Sequence, residues 1–380
     1  MGQEPLDIDL LLISDLYPTP HDPVRGVFVR DHARALRPFV RSVTVANISL
    51  IGEACRIRQD ETDPHIRVLQ GGIFRRKIHR AFRSPFYAIW VHRALRTILE
   101  HADPDLLHAH GGVLSGTLAR RIATKKRIPY FITEHFRMLE KWAKDPLKRR
   151  LLAKNHRGAA RTIGVSEQLT REIRTHFPEG KSLTVPNPVD TELFHPGTEE
   201  REKRLLFASR LDPQKGALRT LKAFEAVHGS YPDWKLKIQG EGRERAAIEA
   251  YLAERPSLKE RVEVGPKLPR EELVQAMRRS AFMVLPSEYE SFGLVIAESL
   301  ATGTPVIAPD RTGPRDIFFE GAGIGIDPRN EESLMNAMQR MIETAGSTDP
   351  EELHKGIAER FSMDRVGRQL QALYQKALNS

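Results

Sequence analysis

Two glutamates eight positions apart form the part of the sequence best suited to chemistry. Glu290 and Glu298 belong to the segment Pro286-Ser-Glu-Tyr-Glu-Ser-Phe-Gly-Leu-Val-Ile-Ala-Glu298, which follows an apolar strand-like run and continues as a helix-like run. The spacing predicts Glu290 near a helix N-terminus and Glu298 about two turns inside the helix. Carboxylate oxygens accept hydrogen bonds from hydroxyl groups, so the pair suits a sugar-like ligand. By spacing alone, such glutamates are usually solvated helix positions.

A second loop carries two cations next to a predicted helix N-terminus. In Leu205-Leu-Phe-Ala-Ser-Arg-Leu-Asp-Pro-Gln-Lys-Gly216, Arg210 comes just after a strand and Lys215 just before or within the first helical turn. A guanidinium, an ammonium and a helix N-terminus all favour phosphate oxygens. The alternative is a surface loop with two ordinary cations, because Asp-Pro is a common turn former.

Together the two segments resemble the Glu-x7-Glu signature and the Gly/Ser-Arg-Leu-x-Pro-x-Lys-Gly element of retaining nucleotide-sugar glycosyltransferases of family 4, also called group 1. The resemblance implies that Arg210 and Lys215 hold the donor diphosphate, Glu290 contacts the donor sugar and Glu298 accepts from the ribose hydroxyls. The full donor site that it implies contains Gly26, Arg210, Lys215, Gly240, Glu290, Ser291, Phe292, Gly293, Leu294 and Glu298.

A third motif, Leu106-Leu-His-Ala-His-Gly-Gly112, ends a predicted strand. Strand alternation places His108 and His110 on one face. No nearby cysteine or carboxylate completes a metal site. The family resemblance implies that His110 lies beside the donor sugar and acts with Glu290, Arg210 and Lys215 in catalysis. A structural histidine that caps the strand end is the alternative.

Other family positions are matched in part. A glycine pair of the family is Arg25-Gly26 here, so only Gly26 carries over. Arg25, Glu134 and His135 are predicted on the acceptor side. Gly240-Glu-Gly242 lacks the third glycine of a dinucleotide-binding fingerprint, and the family has a Gly-x-Gly near the donor at this place.

The elements that must position these residues alternate between short apolar strands and amphipathic helices, as in a parallel sheet wrapped by helices. A chain of 380 residues exceeds what one core usually serves, so two domains are expected. A proline-rich segment, Val185–Pro196, and the charged stretch that follows it to Arg204 form the predicted linker between the two alternating regions. We predict two doubly wound Rossmann-like α/β domains facing a cleft. The family resemblance implies the GT-B arrangement, with an acceptor-side domain over 1–190, a donor domain over 191–363, and a final helix over 364–380 that crosses back.

Charge is unevenly distributed along the chain, whose net charge is +9. Residues 1–190 hold 32 Lys+Arg against 20 Asp+Glu (+12), and residues 191–380 hold 27 against 30 (−3). Basic clusters occur at Arg75–Arg83 and at Lys144–Arg157. They are either solvated helix faces or a surface for an anionic partner such as a membrane. Nucleic acid fits poorly, because no nucleic-acid-binding motif accompanies the clusters.

The remaining composition is that of a globular protein. The single cysteine, Cys55, excludes an internal disulfide and fits a reducing cytoplasm. The acidic N-terminal segment reads as a strand and not as a signal peptide, and no run is apolar enough to cross a membrane. We therefore expect a cytoplasmic protein, and the basic clusters add the expectation of a peripheral contact at the inner membrane face.

The resemblance implies a retaining glycosyltransferase that needs no metal or other cofactor. It moves a hexose-type sugar from a nucleotide diphosphate sugar, UDP ahead of GDP, to a glycan or lipid-linked acceptor in surface polysaccharide biosynthesis. Three alternatives stay open: a catalytically silent scaffold of the same fold that binds nucleotide sugars or glycans, a nucleotide-sugar epimerase, and a basic nucleic-acid-binding protein.

Overall fold

A computed structural model describes residues 4–19, 22–48, 56–60, 63–70, 85–135, 142 and 144–380. The basic cluster at Arg75–Arg83 lies outside these residues. Contacts between residues divide the chain into two units. The first unit comprises Met1–Pro188 with Met363–Ser380, and the second comprises Val189–Ser362.

The first unit is built on an eight-stranded sheet with the order β3-β4-β2-β1-β5-β6-β7-β8. All neighbouring strands pair in parallel except β3 and β4, which are antiparallel. Strand β3 was not predicted, because its residues alternate between charged or polar and apolar without an apolar run. The strands are β1 (Leu6–Ser14), β2 (Val40–Asn47), β3 (Arg56–Gln59), β4 (Ile66–Gln70), β5 (Leu106–His110), β6 (Tyr130–Glu134), β7 (Arg161–Gly164) and β8 (Ser182–Thr184).

Helices cover this sheet, and the last one comes from the end of the chain. Helix α13 packs against α1 and begins one residue before the predicted start at Asp364. Its Leu370 and Tyr374 are fully buried in the core of the first unit. The helices of this unit are α1 (Val27–Leu36), α2 (Pro85–His101), α3 (Leu114–Lys126), α4 (Pro146–Gly158), α5 (Glu167–His176) and, from the end of the chain, α13 (Met363–Leu378).

The second unit contains a six-stranded parallel sheet with the order β11-β10-β9-β12-β13-β14. Its strands are β9 (Glu202–Ala208), β10 (Lys235–Gln239), β11 (Val262–Gly265), β12 (Ser280–Val284), β13 (Val306–Pro309) and β14 (Gly323–Ile326). Its helices are α6 (Ala217–His228), α7 (Arg245–Ala253), α8 (Pro256–Lys259), α9 (Arg270–Arg278), α10 (Leu294–Ala301), α11 (Glu331–Glu343) and α12 (Pro350–Phe361).

The ends of the second unit meet at the predicted linker. The Val189 amide donates to the Phe361 carbonyl at 2.8 Å. Strand β9 begins at Glu202, inside the charged stretch that was read as linker, because the first residues of this strand are exposed and tolerate charge. Among the described helices, none combines the length and apolarity needed to cross a membrane.

Candidate functional site

The predicted diphosphate and sugar residues of the second unit lie on loops at the carboxyl ends of neighbouring parallel strands, where α/β sheets bind ligands. One loop follows β9 and leads into α6, and the other follows β12 and leads into α10. The Glu288 amide donates to the Gln214 carbonyl at 2.8 Å, which ties the two loops together. We call these two segments, residues 209–216 and 285–293, the paired loops.

An ion pair between Lys215 and Glu290 joins the paired loops. Lys215 Nζ lies 2.6 Å from Glu290 Oε1, and both side chains are largely buried, at 16% and 13% exposure. The Ser287 hydroxyl donates to the same oxygen at 2.9 Å. Lys215 and Ser287 therefore both donate to Oε1. Because one carboxylate oxygen holds both contacts, the orientation of the Glu290 carboxylate is fixed.

Both helices that follow the paired loops begin at a glycine with positive φ. Gly216 has φ 80° before α6, and Gly293 has φ 102° before α10. A Cβ on Gly216 would lie 2.9 Å from Pro286 of the other loop. The backbone N–H groups of a helix start favour anions. The structure thus brings two helix N-termini beside the Lys215–Glu290 pair.

Glu298 occupies a more enclosed position than Glu290. It is the fifth residue of α10, only about one turn inside the helix, because the helix starts after Gly293; the expected two turns were wrong. Its Oε1 lies 3.0 Å from Arg270 Nη2, with side-chain exposures of 7% and 10%. Glu298 is thus held by a cation that the sequence analysis did not identify.

Arg210 differs from Lys215 in being exposed. Its side chain is 73% exposed and lies 2.9 Å from Asp212. The neighbouring Gly240–Gly242 turn packs tightly here, since a Cβ on Gly240 would come within 1.9 Å of the Ser209 carbonyl. Helix α7 begins only after this turn, at Arg245.

The remaining predicted donor residues lie between Glu290 and α10. Phe292 is buried, and Ser291 and Phe292 pack against the loop after β13, where a Cβ on Gly313 would meet their backbone at 2.5 Å. The Gly313 amide donates to the Glu290 carbonyl at 3.0 Å. Leu294 is the first residue of α10.

In the first unit, His110 belongs to a group of four buried histidines. His108 and His110 share a face, as alternation predicts, with stacked rings 4.9 Å apart. His110 Nδ1 lies 2.8 Å from His135 Nε2, and His32 packs edge-on against His110 at 5.0 Å. His110 Nε2 is buried and has no hydrogen-bond partner among the described residues. We call His32, His108, His110 and His135 the histidine cluster.

Burial lowers the pKa of every member of this cluster. The pKa of His32 falls to about 4 and that of His108 to about 3. The pKa values of His110 and His135 lie well below the usual value for the same reason, helped by repulsion from neighbouring imidazoles. The cluster is therefore neutral at physiological pH, and each ring carries one proton.

Glu134 and His135 are both buried in the first unit. Glu134 Oε1 lies 3.3 Å from His156 Nε2, with both side chains at 1% exposure or less. The acceptor-side role of Glu134 and His135 stays a prediction. Gly26 precedes α1 at φ 71°, where a Cβ would lie 2.5 Å from the Leu16 backbone, and Arg25 is exposed.

Within the part of the chain that the structure describes, no group of three His, Cys, Asp or Glu side chains could hold a metal ion. Ser287, Arg270 and His156 were not predicted as site residues. Ser287 stands in the quoted signature, but its partner could not be named from a pattern. Arg270 and His156 contact residues that are distant in sequence, so no local signal identified them.

Two family models match the chain. The model for glycosyl transferases group 1 matches residues 189–359, and the model for glycosyltransferase family 4 matches residues 26–193. Together they span both units.

Several curated proteins are similar to this chain. A D-inositol 3-phosphate glycosyltransferase of Acidothermus cellulolyticus is 26% identical over 93% of this chain and 81% of its own length. TuaC of Bacillus subtilis, named for teichuronic acid biosynthesis, is 24% identical over 96% of this chain and 98% of its own length. An exopolysaccharide phosphotransferase of Streptomyces coelicolor is 30% identical over 50% of this chain, but the match spans only 20% of that protein.

Solved structures share the fold. Sucrose-phosphate synthase of Thermosynechococcus elongatus superimposes with a TM-score of 0.77 at 20% identity, over 98% of this chain and 99% of that one. HepE of Anabaena, solved in complex with UDP-glucose, superimposes with a TM-score of 0.71 at 17% identity, over 97% of this chain and 100% of that one. The described architecture is therefore that of the GT-B glycosyltransferases.

Proposed function

We propose that this chain, which belongs to the group 1 glycosyltransferases and has the GT-B fold, is a retaining hexosyltransferase that works without a metal. Its donor is a nucleotide diphosphate sugar, with UDP ranked ahead of GDP. Its acceptor is a hydroxyl of a glycan or of a lipid-linked sugar in surface polysaccharide biosynthesis. The UDP-glucose complex of HepE and the names of the polysaccharide-related relatives support this choice.

The Lys215–Glu290 pair is the observation that carries the proposal. Lys215 keeps one N–H direction on Glu290 Oε1 and has two further protons for phosphate oxygens. Glu290 Oε1 is taken by Lys215 and Ser287, so its Oε2 is the oxygen that a donor-sugar hydroxyl would reach. The contact between Lys215 and Glu290 thus holds in place both the ammonium proposed to bind phosphate and the carboxylate proposed to bind the sugar.

In the proposed reaction, the bond between the sugar C1 and the diphosphate oxygen breaks as a bond from C1 to the acceptor hydroxyl oxygen forms on the same face. The acceptor proton moves to the leaving phosphate oxygen, so no covalent glycosyl-enzyme forms. Negative charge that builds on the leaving phosphate is stabilised by Arg210, by Lys215 and by the N–H groups at the starts of α6 and α10.

His110 is the histidine that we propose to contact the donor sugar, as the family resemblance implies. If His135 Nε2 donates to His110 Nδ1, the single proton of the neutral His110 ring lies on Nε2. That buried nitrogen has no partner among the described residues, and a buried polar atom without a partner is costly. A sugar hydroxyl that accepts from Nε2 would satisfy it.

A thermal-shift panel without added metal and with EDTA tests the donor site. UDP, GDP, ADP and their common sugars are compared on wild type and Glu298→Ala, with Glu249→Ala at an exposed ion pair of the same unit as control. We expect one nucleotide family to raise the melting temperature, less in Glu298→Ala than in the control. If no nucleotide shifts the wild type, the donor site is refuted and the silent scaffold takes its place.

A contact with anionic lipid at the cytoplasmic membrane face is the second part of the proposal. Helix α4 exposes Arg150 and Lys154, three and seven positions after Leu147, which is 45% exposed on the same helix face. Cations beside an exposed apolar side chain suit a negatively charged lipid surface. This face also agrees with the excess positive charge of residues 1–190.

Sedimentation with phosphatidylglycerol vesicles at low salt tests this contact. Arg150→Glu combined with Lys154→Glu should release most of the bound protein. Lys235→Glu combined with Lys259→Glu changes the net charge equally at exposed positions of the second unit and should release little. Equal loss in the two double variants, or no binding of the wild type, would contradict the α4 surface.

A further inference from the structure

Arg270 and Glu298 form an ion pair that is almost closed to solvent. Arg270 is the first residue of α9, and Glu298 lies in the second turn of α10, so the pair joins two helices of the second unit. Arg270 Nη2 and Glu298 Oε1 are 3.0 Å apart, and the residue Glu298 is only 5% exposed. A carboxylate at such burial stays charged only with a close counter-charge or hydrogen bonds.

The guanidinium of Arg270 is itself held in place. Its central carbon lies 5.0 Å from the centre of the Phe194 ring, which is fully buried. A guanidinium stacks on aromatic faces and offers its N–H groups in a rigid fork. The ring on one side and the carboxylate on the other leave Arg270 little rotational freedom, and Arg270 therefore limits that of Glu298.

We infer that Arg270 is a positioning residue that sets the Glu298 carboxylate for the two ribose hydroxyls of the donor and so selects ribonucleotides over 2′-deoxyribonucleotides. The inference rests on the proposed function, in which Glu298 accepts from the ribose. A carboxylate that accepts from both hydroxyls must keep one orientation and its full charge. Arg270 contributes to both, although it touches no part of the donor in this scheme.

The size of the selectivity follows from one hydrogen bond. Removing the 2′-hydroxyl deletes a hydrogen bond to a charged acceptor, which lowers affinity by about 10- to 100-fold. Without Arg270, the Glu298 carboxylate loses its charged partner at 3.0 Å and is positioned less firmly, so the bond to the 2′-hydroxyl weakens in the ribonucleotide complex. The affinity ratio between the two nucleotides should then approach one.

Calorimetric titration of the full chain measures this ratio. UDP is compared with 2′-deoxy-UDP and GDP with 2′-deoxy-GDP, on wild type, Arg270→Met and Arg270→Lys. We expect the wild type to favour the ribonucleotide by about tenfold or more. Arg270→Met should lose this preference, and Arg270→Lys, which keeps the charge without the fork, should keep part of it. If Arg270→Met does not fold, Arg270→Lys carries the comparison.

Arg278→Met is the matched control. Arg278 ends the same helix, is 11% exposed in its side chain and lies 3.6 Å from Glu199. The Arg278→Met variant should be less stable than the wild type but should keep the wild-type ratio of affinities for the ribonucleotide and the 2′-deoxyribonucleotide. If Arg270→Met keeps the wild-type affinity ratio between the two nucleotides, Arg270 has only a structural role and the inference is wrong.

The two proposals fail in different ways. A wild type that binds a ribonucleotide without preferring it over the deoxy form would overturn the inference and leave the donor site standing. A wild type that binds neither UDP nor GDP would overturn both.

Discussion

Acidification should destabilise the first unit through its histidine cluster. All four imidazoles are fully enclosed and neutral, with pKa values of about 4 for His32 and about 3 for His108, and still lowered values for His110 and His135. Tyr374, which hydrogen-bonds to His108, stays neutral because burial raises its pKa. In the unfolded chain these histidines would titrate near 6.5.

The sign of the effect follows from proton counts. Between the folded pKa values and pH 6.5, the unfolded chain binds more protons than the folded one, so the free energy of unfolding falls as the pH falls. Each histidine contributes about 1.4 kcal/mol per pH unit in this window. From pH 6.5 to pH 5, His32 and His108 alone remove about 3 kcal/mol, because the unfolded histidines are only half protonated at pH 6.5; this is a large part of the typical stability of about 5–15 kcal/mol.

Urea unfolding at pH 7.5, 6.5, 5.5 and 5 measures this loss. His32→Leu removes one titrating group and should lower the pH slope by about 1.4 kcal/mol per pH unit. His65→Gln, at an exposed histidine of the same unit, should leave the slope unchanged. A free energy of unfolding that stays constant from pH 7.5 to 5 would show that the imidazoles are not buried as described.

Two glycines provide tests of packing at the site and in the core. Gly367→Ala in α13 would place a Cβ 2.2 Å from the Ala35 carbonyl and 2.4 Å from the Phe39 ring, so thermal unfolding should show a loss of about 1–3 kcal/mol; an unchanged melting temperature would contradict the α1–α13 contact. Gly216→Ala should weaken nucleotide binding in titrations, because it strains a positive φ and pushes on Pro286 of the paired loops. The control is Gly346→Ala, because Gly346 also has a positive φ but an added Cβ would meet no atom within 4 Å; this variant should leave nucleotide binding intact. Equal affinities in the two variants would refute the role of the loop contact.

The fold was largely predictable from the sequence because its signals are local. The parallel strands β1 and β9 each contain a buried apolar run, Leu10–Ile13 and Leu205–Ala208, and helices such as α5 show amphipathic spacing. Strand β3 was not predicted because it contains no apolar run. The position of Glu298 was one turn off because helix α10 starts only after the positive-φ Gly293.

The candidate site was predictable in its residue types but not in its contacts. The two family segments identified Lys215 and Glu290 as site residues. The structure shows in addition that these side chains contact each other, although they lie 75 positions apart in the sequence. Arg270 contacts Glu298 over 28 positions and belongs to no local motif. Such pairs depend on how helices pack on a sheet, and single-sequence periodicity carries no information about that packing.

Charge balance separates the two anion-binding surfaces proposed for this chain. At the donor site the buried cations are matched, because Lys215 pairs with Glu290 and Arg270 with Glu298. The exposed Arg210 shares Asp212 with Arg243. Attraction for a diphosphate must then come largely from helix N-termini and from cations already fixed in place, which salt screens little when they are buried. The α4 face consists of exposed cations, whose attraction salt screens strongly. Raising the salt concentration should therefore release vesicles well before it weakens nucleotide binding. Equal salt dependence of the two would show that the donor site relies on exposed charge, which Arg210 and Arg243 would provide, and not on the buried pairs.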